Sequence, residues 1–149
     1  LCAVLLKDLG YNKLNISYGA TWYGGTAIEK ALGRINFVKS LLNDKQFKDI
    51  KFHLLGCAVP QEFGWYNNHP QIESIDTSNP IMSALENINY TRQGLVEKPK
   101  ANMNEYFDIN PLKVNYEDVL KNVKRFRKIN GFAYIQNIPG TNLNSIKHG

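Results

Sequence analysis

The chain has 149 residues, 43% hydrophobic and 11% aromatic, and its 18 Lys and Arg against 13 Asp and Glu give a formal net charge of +5. That apolar content excludes a disordered chain, and one domain spanning 1–149 is expected. Two cysteines, Cys2 and Cys57, are too few for a disulfide framework or a four-cysteine zinc site, and no apolar run nears the roughly 20 residues that span a bilayer, so a cytoplasmic protein without a membrane partner is expected.

Residues 1–6 read as the tail of an element already under way, closed by Lys7-Asp8-Leu9-Gly10 like a helix C-terminus. Residues 13–18 alternate as a strand does, and turn formers break the pattern over 19–25. Thr26 and Glu29 then form a capping box, with Ile28, Ala31, Leu32, Ile35, Val38 and Leu42 at helical spacing behind it. Residues 50–55 make a second strand that ends at Gly56-Cys57, and Pro60 suits a first helical turn. Residues 72–76 make a third strand, after which Asn79 can cap and Pro80 open a helix over 81–85.

Strand and helix thus alternate three times, which predicts an α/β fold of parallel βα units joined by right-handed crossovers. The βα core spans 13–86. From 87 to 112 a long loop is expected, with one short element at Ile88-Asn89-Tyr90. Asn115 caps a helix over 116–128 whose Val119, Leu120, Val123 and Phe126 form an apolar stripe, and residues 132–135 read as a strand or docking tail, completing a loop-and-helix part over 87–149.

In parallel α/β folds ligands bind beyond the carboxyl ends of the strands, which singles out Tyr18, Gly19 and Ala20, then Gly56 and Cys57, then Asp76. Asp76 is a carboxylate at a strand tip followed at once by a helix start, a place suited to attack or coordination; the plainer alternative is that Asp76, Ser78 and Asn79 cap the turn. Glycine allows close backbone approach to a planar ligand, and Tyr18, Trp22 or Tyr23 can stack on a base. His53 reads as a hydrogen-bonded core residue and Cys57 as packing, because no base lies near it in sequence. The basic residues of 121–128 read as a solvated helix face, though the excess positive charge favours an anionic partner. Neither a Walker loop nor a GxGxxG fingerprint is present, which speaks against nucleotide hydrolysis and hydride transfer, and no cofactor is expected.

Leu54-Leu55-Gly56 with Pro60-Gln61-Glu62-Phe63, followed by Asp76 and Pro80, resembles the last strands of the tRNA-guanine transglycosylase barrels over roughly residues 13–85. The resemblance implies the C-terminal part of a (β/α) TIM barrel, the rest lying outside this chain, since a closed barrel takes roughly 200 residues or more. It also implies exchange of a guanine in DNA or tRNA for a 7-deazapurine base, with Asp76 as the nucleophile that attacks the sugar carbon and with Tyr18, Gly19, Ala20, Gly56 and Cys57 around the base. Met82 stands where the family has an arginine, and the cysteine-rich zinc site of the tRNA enzymes has no counterpart. Two rival expectations are a non-catalytic nucleic-acid or protein-binding module and an unrelated barrel enzyme using Asp76 as a general base or metal ligand.

Overall fold

The computed structural model describes residues 1–18, 24–100 and 110–131; the site candidates Gly19 and Ala20, and the tail expected at 132–135, lie outside the described residues. The chain opens on α1 (Cys2–Asp8), whose last turn is closed by Leu9 and by Gly10 at φ 94°. β1 (Lys13–Ile16) leads to α2 (Ala27–Asn43), which carries the expected capping box between Thr26 and Glu29. β2 (Lys51–Leu55), a 3-10 segment at Pro60–Tyr66, β3 (Ile72–Asp76) and α3 (Asn79–Leu85) follow, and Asn115 caps α4 (Tyr116–Ile129) as the sequence predicts. The element expected at Ile88-Asn89-Tyr90 is absent: those residues lie in a loop, which buries Tyr90.

The three strands form one parallel sheet in chain order, β1-β2-β3. The α/β class is therefore as expected, whereas a three-stranded sheet is not a barrel. Right-handed crossovers that always step the same way lay their helical segments on one face of a sheet. The core agrees: Leu14, Ile16, Phe52 and Leu54 of the strands join Ile35, Val38 and Leu41 of α2, Phe63 and Tyr66 of the 3-10 segment, and Phe126 of α4 in one buried cluster. On the other side of the strands the cross-strand row Asn15, His53 and Ser74 is left exposed or half-buried.

β3 does not alternate cleanly, and a bulge explains it. Phe52 pairs with Ile72 but the next residue, His53, pairs with Ser74, so Glu73 is the extra residue. Ile72 and Ile75, three apart, both reach the core cluster, while Ser74 and Asp76 fall on the side of His53.

The segment after Pro60 is 3-10, not the α-helix that a first-turn proline suggests, and Asn130 is the cause. Its buried side-chain amide donates to the Pro60 carbonyl at 2.8 Å while its oxygen accepts from the Gly64 amide at 2.6 Å. Those two backbone groups are the pair an α-helical turn would join, so the side chain takes the place of the helical bond. Asn122 does related work about two turns earlier on α4, accepting from the Tyr90 amide at 3.0 Å and donating to the Ile88 carbonyl at 2.8 Å.

Candidate functional site

The carboxyl end of β2 is built around a charge that the apolar pattern hides. Arg34 of α2 is fully buried; its Nε donates to Glu62 Oε1 at 2.5 Å, and its two terminal nitrogens donate to the carbonyls of Leu55 at 2.7 Å and Gly56 at 2.5 Å. The Tyr66 hydroxyl donates to the same Glu62 oxygen at 3.0 Å, and the guanidinium lies 5.7 Å from the Phe63 ring centroid. Burial lifts Glu62 above the ordinary carboxylate range despite the opposing pull of Arg34, while the guanidinium stays a cation. Glu62 has no exposed surface, so this group clamps the strand end and has no route to a ligand.

Gly56, which the clamp holds by its carbonyl, sits at φ 60°, a conformation that a Cβ strains. Its amide points across to β3, donating to the Asp76 carbonyl at 2.9 Å and to Asp76 Oδ1 at 3.1 Å. The carboxylate is thus oriented by the neighbouring strand end, and its side chain remains 61% exposed. Its second oxygen faces His53 Nε2 at 3.6 Å, and His53 Nδ1 lies 2.6 Å from Ser74 Oγ. Sequence reasoning placed His53 in the core; the structure puts it on the open side of the sheet beside Asp76. Register carries that signal: His53 sits two residues before Leu55, which pairs with Asp76.

The turn is capped by Thr77, whose hydroxyl accepts from the Asn79 amide at 3.1 Å, and not by Asp76 or by the side chain of Ser78. Asn79 is no cap either. It is buried as the first residue of α3, and its side-chain oxygen accepts from the hydroxyls of Ser83 and Tyr90.

Beside this strand end lies a cavity of about 150 Å³ lined by Tyr18, Gly56, Cys57, Thr77 and Lys98, among others. Three of the residues singled out from the sequence, Tyr18, Gly56 and Cys57, therefore come together, and Asp76 adjoins them through its bond to Gly56. Cys57 is buried against Thr77 Oγ1 at 3.3 Å, and burial pushes its thiol up to about 12, so it carries no thiolate at neutral pH. Burial likewise raises the Tyr18 phenol and keeps it neutral. Among the described residues no group of three His, Cys, Asp or Glu side chains is placed to hold a metal ion, and no helix is long and apolar enough to cross a membrane. Comparison with protein-family models, with curated proteins and with solved structures finds no match to this chain.

Proposed function

We propose that this chain is an arc of a (β/α) barrel that exchanges a purine base in nucleic acid for a 7-deazaguanine-type base, with Asp76 as nucleophile. One observation carries the reading: an exposed carboxylate at a strand tip is oriented by the amide of Gly56, a residue that lines a cavity together with Tyr18 and Cys57. Its rival nucleophile at the strand ends, Cys57, is buried and protonated. A single-direction β1-β2-β3 sheet with its helices on one face is the arrangement that continuing strands at either edge would curl into a barrel, and it supports that architecture.

In the step, an Asp76 oxygen bonds to C1′ as the C1′–N9 bond breaks, and the electron pair leaves with the purine, which takes up a proton. The incoming base loses its N9 proton, bonds to C1′ and expels Asp76 as carboxylate, so two inversions give retention. Such a base must leave its stack to reach the cavity, which favours single-stranded or flipped substrate.

The test is incorporation of labelled 7-deazaguanine into DNA and into tRNA by the gene product that carries this chain, with Asp76→Asn as control. Incorporation that falls by at least about a thousandfold in the variant supports the reading, since a neutral amide cannot form the ester. Incorporation unchanged by the substitution removes Asp76 from the role, and none by folded wild type across several such bases leaves the binding-module alternative ahead.

A further inference from the structure

A second, shallower cavity of about 610 Å³ lies against the one beside Asp76, and the two share Tyr18 and Lys98. Lys98 Nζ sits 4.9 Å from the centroid of the Tyr18 ring, so an ammonium lies over the aromatic face on which a planar ligand would stack. The outer cavity adds Lys30 and Lys100, with Glu97 as the single acid among its lining residues. Among the described residues none of the three lysines has a carboxylate partner, whereas Lys13 and Lys121 are ion-paired. Lysine ammoniums gathered beside an aromatic ring suit a ligand with a flat base at one end and phosphate at the other.

We propose that Tyr18 and Lys98 are an exchangeable pair: a nucleobase of a single-stranded nucleic acid displaces Lys98 from the ring, and Lys98, with Lys30 and Lys100, holds the flanking phosphates. Stacking of a base on an aromatic side chain is stronger than an exposed ammonium–ring contact, so the exchange runs toward the bound state. The freed ammonium then meets phosphate where the two cavities join, which puts the sugar between them, on the side of Thr77 and Asp76. The polymer's identity rests on the base-exchange reading; the two-cavity geometry stands apart from it.

The experiment is fluorescence anisotropy of the full chain with labelled single-stranded DNA and RNA of about 12 nucleotides, over about 50 to 200 mM salt. Lys98→Ala and Lys100→Ala should each weaken binding severalfold and lower the log–log salt slope by about one. Tyr18→Ala should weaken binding about tenfold while Tyr18→Phe binds as wild type, because the ring and not the hydroxyl does the stacking. Circular dichroism on each variant separates loss of binding from loss of fold, and Lys100→Glu supplies an exposed charge reversal that leaves the core untouched. Lysine variants with wild-type affinity and slope overturn the proposal, as does wild type that binds neither strand, or binds heparin equally well with no dependence on Tyr18. Lysine-dependent binding without base exchange would sink only the enzymatic reading; exchange that persists with binding unchanged in the lysine variants would sink only this one.

Discussion

The ends of β2 and β3 look alike in sequence and differ in the molecule. Gly56 follows the last residue of β2 and Asp76 is the last residue of β3, each with a proline four positions later, Pro60 or Pro80, leading a helical segment. Yet the β2 end buries an arginine and a glutamate with no exposed surface, and the β3 end holds a carboxylate that is 61% exposed. The charge at the β2 end is spent on backbone carbonyls and a tyrosine hydroxyl, which makes it scaffold. Among the described residues the charge at the β3 end is touched by one amide and one imidazole, and it stays open to solvent, which leaves it available to a ligand. A fixed strand end supplies the amide that aims the exposed carboxylate.

The largest effect should come from breaking the scaffold. Arg34→Met leaves Glu62 buried without its cation and strands the carbonyls of Leu55 and Gly56, which should cost about 3–5 kcal/mol, read as a fall in the urea midpoint. Arg34→Met with Glu62→Leu should recover part of that loss, since paired apolar residues replace buried ions at little cost, but not the two carbonyls. A single variant that loses less than about 1 kcal/mol would mean that the buried pair is not what holds β2's end, and the contrast with β3 would fall.

Next in size is the alkaline limb. Burial raises the Cys57 thiol from 9.0 to about 12 and raises the phenols of Tyr66 and Tyr90 in the same direction. A group raised in the folded state adds stability that is fully present below its unfolded value and is lost as pH climbs through the folded one. Between pH 9 and 12 the unfolded chain therefore gains from ionising Cys57 while the folded chain does not, and by pH 10 this thiol alone should remove about 1 kcal/mol. Denaturation of Cys57→Ala across that range should show a shallower decline, and a thiol reagent at neutral pH should label exposed Cys2 well before Cys57.

What the sequence makes legible follows from how local each signal is. The capping box at Thr26, the Asn115 cap and the three strands depend on neighbours in sequence, and they stand where the pattern predicts. Counting apolar residues placed Leu32 on the buried face of α2, where it is 46% exposed, and passed over Arg34, which lies three residues after Ala31 and four before Val38 on the same stripe. Its partner is 28 residues away, so no local pattern announces it. Asn130, which turns the Pro60 segment to 3-10, acts across 70 residues, and the bulge that brings Ser74 and Asp76 to His53's side needs the register. In the candidate site Gly56, Cys57 and Asp76 were legible as strand ends, while the proximity of His53 and the second cavity at Lys98 depend on pairing and loop placement.

The smallest expected effect on stability sharpens the comparison most. In Asp76→Asn the side-chain oxygen can still accept the Gly56 amide, and the contact to His53 that changes is 3.6 Å long and largely in solvent. Stability should then move by no more than about 0.5 kcal/mol, within reach of a urea titration run beside Arg34→Met. A loss above about 1.5 kcal/mol would make Asp76 a structural member of the sheet, and its substitution would no longer serve as a clean control for base exchange. A stable variant instead isolates the carboxylate's charge from its place in the fold. The same amide that holds the side chain in wild type holds it in the variant, so any function lost with that charge belongs to chemistry at β3 and not to the clamp at β2.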